Sequence, residues 1–227
     1  MKVGILQPGY IPWLGFFEQV YKSNKFVLYD DVQFDKNSWR NRNRIKTPDG
    51  PLWLTIPVRQ KGHISQTLLE TEIAEKKRWP RKHLNSLKSC YAKAPYFDRY
   101  IDDLSEILQQ EWTCLVDLDI ALIKYLLREL GITTPLIRSS ELGISGEKTE
   151  RLVSICKALG ATTFYEGAAG RNYMEEKKFE EAEIRLEYQD YHHPTYPQLY
   201  GDFIPYLSVI DLLFNCGDES FEIIIGE

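Results

Sequence analysis

Short apolar runs separated by stretches of helical spacing recur at both ends of the chain, and this alternation limits the possible folds more than any other feature. At the start, residues 3–6 read as a strand. Residues 14–21 follow as a helix with Leu14, Phe17, Val20 and Tyr21 on one side, and residues 26–29 as a short buried strand. The last third repeats the pattern: strand 136–138, helix 147–159, strand 162–165, helix 173–182, strand 184–188 and a closing helix over 204–215. Strands with helices between them pair in parallel, so the expectation is an α/β fold, three-layer, with a mostly parallel sheet.

Two segments interrupt the pattern. Between residues 40 and 58, Pro48-Asp49-Gly50 is a turn signal and 52–58 reads as a strand, so a β-hairpin is expected. From Lys76 to Gly131 the spacing is helical and is divided by Pro95, giving at least two helices. The expected organisation is an α/β core over 1–75 and 132–227 with a helical insertion or subdomain over 76–131.

Composition removes several function classes. With 43% hydrophobic residues in 227 there is enough apolar surface for a full core. No run reaches the roughly 18 apolar residues of a membrane span. No cationic-then-apolar leader opens the chain, so a cytoplasmic location is expected. Cys90, Cys114, Cys156 and Cys216 are scattered through apolar patterns, which suits reduced structural thiols rather than disulfides or zinc. A net charge of −5 argues against duplex nucleic acid as a partner but leaves room for local cationic sites.

Five stretches carry the candidate chemistry. Gln7-Pro8-Gly9-Tyr10 and Trp13, after the first strand, place glycine, proline and aromatics where α/β sheets hold ligands. Gln7, Tyr10 and Trp13 are therefore candidate ligand-binding residues. Arg40, Arg42, Arg44 and Lys46 alternate with Asn41, Asn43 and Ile45, so an extended strand would carry all four cations on one face; Arg42 and Arg44 are the strongest anion contacts. Asp30 and Asp31 close the second strand, and Asp31 is a candidate base. Lys148 and Thr149 open a helix after Gly146, a fair anion site. It is no Walker loop, since Leu142 stands where the first glycine is needed. Gly167, Gly170 and Asn172 form a second strand–glycine–helix turn without the dinucleotide spacing. Finally, His193 lies in a stiff loop with Tyr196 and Gln198 and is a candidate general base. His192 points the opposite way on an extended chain, and no zinc set is present. His63 and His83 are isolated and receive no role.

Together, "LQPGYIPWLGFFEQV", "LYDDVQFDKNSWRNRNRIKTPDGPLWLTIPV", "SGEKTERLVSICKALGATTFYEGAAGRNYM" and "HPTYPQLYGDFIPYLSVIDLLFNCGDES" resemble the WbqC-like protein family over nearly the whole chain. The resemblance implies a cytoplasmic bacterial protein associated with surface-polysaccharide and O-antigen biosynthesis, acting on an activated sugar. It brings no established catalytic residue. The opening strand, turn and helix also resemble adenylate-forming and nucleotidyl-transferring enzymes whose first loop carries H-x-G-H, but Trp13-Leu14-Gly15-Phe16 lacks both histidines.

The expected function is acyl or aminoacyl transfer to the amine of a nucleotide-linked amino sugar. Its partners would be that nucleotide sugar and an acyl or aminoacyl donor, with His193 or Asp31 taking the proton and no cofactor required. Two alternatives stand beside it. One is a nucleotidyl or adenylate-forming transferase using Mg-ATP; the other is a non-catalytic nucleotide-sugar binding protein.

Overall fold

The computed structural model describes residues 1–35, 38–59 and 66–226; His63 lies outside them. In chain order the elements begin with β1 (Lys2–Leu6), α1 (Leu14–Tyr21) and β2 (Lys25–Leu28), followed by β3 (Arg42–Thr47) and β4 (Gly50–Thr55). Three helices come next: α2 (Arg78–Tyr91), α3 (Phe97–Gln109) and α4 (Leu115–Glu129). The last part holds β5 (Leu136–Arg138), α5 (Lys148–Ala158), β6 (Thr163–Glu166), α6 (Glu176–Glu181), β7 (Arg185–Tyr188), α7 (Val209–Cys216) and α8 (Ser220–Ile225). They belong to two units. One comprises Met1–Gln7, Gly15–Asp31 and Ile132–His192; the other comprises Pro8–Leu14, Val32–Gly131 and His193–Glu227.

The first unit is the expected α/β assembly. Its five strands run in the order β5-β2-β1-β6-β7, and every neighbouring pair is parallel. Alternation along the strands explains the layers. Val3, Ile5, Val27 and Phe164 face one side and pack with Leu152, Ile155 and Cys156 of α5 and Phe179 of α6. Gly4, Phe26 and Tyr165 face the other side, against α1. There Phe16 meets Phe26 edge-on at 5.4 Å, and the Tyr165 hydroxyl donates to Glu18 at 3.2 Å. Gly4 has no room for a side chain, because a Cβ would stand 2.6 Å from Ser23 Oγ.

The second unit holds the hairpin and the helices. Antiparallel pairing sets Arg42 opposite Thr55 and Arg44 opposite Trp53, so the Arg42, Arg44 and Trp53 side chains share one face. The other face turns Asn43, Ile45 and Leu54 into the core. The helical segment expected over 76–131 lies wholly in this unit and forms three helices. Phe97 and Tyr91 pack their rings on Phe214 of α7 at 5.2 and 5.1 Å.

The helix expected over 204–215 begins later, at Val209, since Tyr206 has φ 58°, outside the helical region, and Ser208 Oγ caps the start by accepting from Ile210 N at 3.3 Å. The helix expected over 173–182 is shortened to α6, and a tight turn over Ala168–Asn172 precedes it. α8 was not expected from the spacing.

The loop after β1 is held from within the second unit. Asn43 Nδ2 donates to the carbonyls of Tyr10 and Ile11 at 3.2 and 2.8 Å. Ile11 has φ 39°, a conformation a β-branched residue adopts only when its surroundings impose it.

Candidate functional site

The exposed face of the hairpin gathers the strongest binding groups of the second unit. The Arg42 guanidinium lies 4.3 Å from the centre of the Trp53 ring, and Arg44 lies 5.6 Å from Trp53 and 5.7 Å from Trp39. The two indoles are 5.2 Å apart and remain 44% and 41% exposed, so part of each ring stays open beside the arginines. Among the described residues Arg42 makes no hydrogen bond and neither arginine pairs with a carboxylate. Arg44 donates once, to the Tyr206 carbonyl at 3.1 Å. Uncommitted guanidinium donors on open π-faces suit a ligand that carries both a flat ring and an anion.

Tyr206 extends this face. Its φ of 58° turns the ring outward, 50% exposed, while its carbonyl faces Arg44 and its amide donates to His193 Nε2 at 3.1 Å. His193 Nδ1 donates to the Pro194 carbonyl at 2.8 Å, which fixes the neutral tautomer with the Nε2 lone pair on the Tyr206 amide. Burial lowers the His193 pKa in agreement. Trp13 stacks on His193 at 6.4 Å and meets Tyr206 at 5.7 Å. Trp13, His193, Arg42 and Arg44 thus fall on one surface together with Trp39, Trp53 and Tyr206, which the sequence reading did not select. The hairpin register was the available signal, because it sets Trp53 beside both arginines.

Other residues picked from the sequence are occupied inside this unit. Tyr196 Oη and Gln198 Nε2 donate to Asp211 Oδ2 at 2.9 and 2.8 Å, and Tyr91 Oη donates to Asp211 Oδ1 at 2.7 Å. Lys46 is buried and gives its ammonium to the Asp202 carbonyl at 2.6 Å, which removes it from the exposed cation row. Tyr10 is buried too. Its hydroxyl donates to His83 Nδ1 at 2.8 Å, while His83 Nε2 donates to the Thr55 carbonyl at 3.2 Å. Burial pushes the His83 pKa down to about 4.

In the first unit the topology itself marks a place. The chain lays β1, β2 and β5 outward in one direction, then crosses to β6 and β7 on the other side of β1. The switch point lies beyond the carboxyl ends of β1 and β6, where open α/β sheets hold ligands. Gln7 follows β1 there, and Glu166 ends β6. Glu166 is 4% exposed and accepts from Tyr173 Oη at 3.0 Å. Burial raises its carboxyl to about 7, against the pull of Tyr173 and the Gly167 amide. Gly170 makes room for this carboxyl, since a Cβ there would sit 2.3 Å from Glu166 Cγ; beside Gly167 the space is open.

Thr149, at the start of α5, reaches the same turn by accepting from Glu175 N at 3.3 Å, whereas Lys148 and Asn172 are exposed. Asp31 accepts from Ser139 Oγ at 2.6 Å and from the Arg151 guanidinium. Asp30 beside it is fully buried and accepts from Arg138 Nε at 2.5 Å and from Ser140 N at 3.0 Å. Among the described residues the four cysteines are free and no group of His, Cys, Asp and Glu is placed to hold a metal.

These two titrating groups act on stability with opposite signs. Glu166 has a folded pKa above its ordinary 4.5, so its contribution is complete below 4.5 and is lost as pH rises to about 7. His83 has a folded pKa below its ordinary 6.5, so its contribution is complete above 6.5 and is lost as pH falls to about 4. Each spans on the order of 3 kcal/mol. Urea unfolding measured between pH 4 and 7.5 should therefore separate the two when each variant is compared with the native chain. Relative to the native chain, Glu166→Gln should gain stability as pH rises from 4.5 to 7, and His83→Phe should gain stability as pH falls from 6.5 to 4.

No helix of the described residues is long and apolar enough to cross a membrane. The chain is similar to uncharacterized protein Rv1507c of Mycobacterium tuberculosis, with 40% identity over 221 residues that cover 96% of this chain and 95% of that protein. No solved structure matches it. The model of the WbqC-like protein family matches residues 7–223, which takes in the loop after β1, the hairpin face and the switch-point turn. On that match the chain belongs to the WbqC-like protein family.

Proposed function

We propose that this protein binds a nucleotide-linked amino sugar on the arginine–tryptophan face and modifies the sugar amine by acyl or aminoacyl transfer, as a step in building surface polysaccharide. The observation that carries the binding half is the Arg42 guanidinium, stacked on Trp53 with its donors unspent among the described residues. Arg42 and Arg44 hold the phosphates, and the open indoles of Trp39 and Trp53 stack on the base or sugar ring.

The chemical half follows from the amine. Its nitrogen attacks the acyl carbonyl, an N–C bond forms, the donor's leaving group departs, and the amine gives up a proton. It must be neutral to attack. His193, in the same unit as the arginine–tryptophan face, takes that proton after exchanging its present donor, the Tyr206 amide. The family resemblance to surface-polysaccharide proteins supports the pathway.

A thermal-shift screen against UDP-, dTDP- and GDP-linked amino sugars, and against ATP with and without magnesium, tests the reading. A ligand at 100 times its Kd stabilises by about 2.7 kcal/mol, which for a chain of this size raises Tm by roughly 5–10 °C. One class of nucleotide sugar is expected to give that shift. A shift with Mg-ATP alone would replace the reading with nucleotidyl transfer. A shift with no transfer product on adding activated acyl donors would leave a binding protein.

A further inference from the structure

The switch point of the first unit holds a second feature, independent of the arginine–tryptophan face. Glu166 stands at the carboxyl end of β6, where the chain reverses its direction of strand addition. Its carboxyl is buried, and among the described residues it has no cationic partner; Tyr173 Oη, at 3.0 Å, supplies its side-chain hydrogen bond. A buried carboxyl without a counter-charge costs stability, and a fold has no structural need for one at this point. The surroundings are built around it. Gly170 leaves the volume the side chain fills, since a Cβ there would stand 2.3 Å from Glu166 Cγ. The Tyr173 ring is 63% exposed and covers the carboxyl from solvent with one movable side chain.

We infer that Glu166, under the Tyr173 hydroxyl, is a binding and proton-accepting site for the primary ammonium group of a small molecule. The ammonium takes the place of the Tyr173 hydroxyl as donor to the carboxylate. On transfer the N–H bond breaks and an O–H bond forms on Glu166, leaving a neutral amine and a carboxylic acid, with no other reactant. The same chemistry is offered by an amino sugar and by the α-amine of an activated amino acid.

The groups facing Glu166 are compatible with this assignment. They are Tyr173 from the following turn, Tyr188 at the end of β7 and Cys156 on α5. None carries a positive charge, and burial or the Glu166 charge keeps all three protonated; the nearest cation of the turn, Arg171, is stacked on the Tyr188 ring at 4.4 Å. With its pKa raised to about 7, the carboxyl is partly protonated at neutral pH, so capture of an ammonium releases a fraction of a proton to buffer.

Isothermal titration at pH 7 with glucosamine, N-acetylglucosamine and glycine ethyl ester, each in two buffers of different ionisation enthalpy, tests this. Glucosamine or glycine ethyl ester is expected to bind, and which of them binds more tightly identifies the source of the amine. N-acetylglucosamine, with its amine masked, should not bind. The heats in the two buffers should differ, reporting net release of a fraction of a proton per bound amine.

Glu166→Gln should lose binding at least ten-fold and lose the proton release. Tyr173→Phe, which keeps the carboxyl, should retain both. Circular dichroism and melting of each variant separate lost binding from lost fold. No heat from either amine, equal binding of N-acetylglucosamine, or unchanged binding by a folded Glu166→Gln would overturn the assignment. None of these results depends on whether nucleotide sugars bind the hairpin face.

Discussion

Arg42→Ala is expected to weaken binding of a nucleotide-linked amino sugar by about 10- to 100-fold and to leave the melting temperature nearly unchanged. The magnitude follows from charge-assisted hydrogen bonds to phosphate, worth about 1.5–3 kcal/mol each, at about 1.4 kcal/mol per factor of ten. The stability half follows from the structure. Arg42 forms no hydrogen bond or ion pair among the described residues, so its removal costs only its contact with the Trp53 ring. Arg42→Lys should fall between the two, because an ammonium keeps the charge but loses the planar fork and much of the stacking. Titration calorimetry with differential scanning calorimetry checks both halves. Unchanged affinity in Arg42→Ala would remove this residue from the site.

The second large effect is on folding. Asp211→Ala should destabilise by about 3–5 kcal/mol, lowering Tm by roughly 10 °C. Its buried carboxylate receives three side-chain donors, Tyr91, Tyr196 and Gln198, which come from α2 and from the loop after His193. The charge of buried Lys46 also acts on it. Truncation would leave two hydroxyls and an amide buried without an acceptor, and an ammonium without its nearby counter-charge. Asp211→Asn, which keeps one carbonyl oxygen, should lose less. Urea unfolding gives the numbers, and a loss under 1 kcal/mol for Asp211→Ala would show that the three donors find water instead.

That network bears on what the sequence could reveal. Tyr196 and Gln198 stand in an aromatic, proline-stiffened loop, which is how ligand loops also look. Their partner Asp211 is set by the path of the chain, and no local pattern announces it. Tyr10 is similar: an aromatic beside glycine suggests stacking on a ligand, but its hydroxyl is spent on His83, 73 residues away.

The parallel sheet was legible because periodicity is local. α1 and β5 have the limits that spacing alone suggests. Strand order was not legible, because β2 and β5 are neighbours across more than a hundred residues, and parallel pairs leave no turn signature between them. Arg42, Arg44 and Lys46 share one strand face as the alternation suggests, but Lys46 is buried there with its ammonium on the Asp202 carbonyl. Glu166 was visible as the polar end of an apolar strand. Its burial and its contact with Tyr173 depend on a turn where a helix was expected.

The most direct test of the central claim is a crystal structure of the protein soaked with the nucleotide-linked amino sugar that gives the largest thermal shift. Phosphate oxygens are expected within about 3 Å of the Arg42 and Arg44 guanidinium nitrogens, with a ring stacked on Trp39 or Trp53. Density for the ligand elsewhere, with the hairpin face empty, would contradict it.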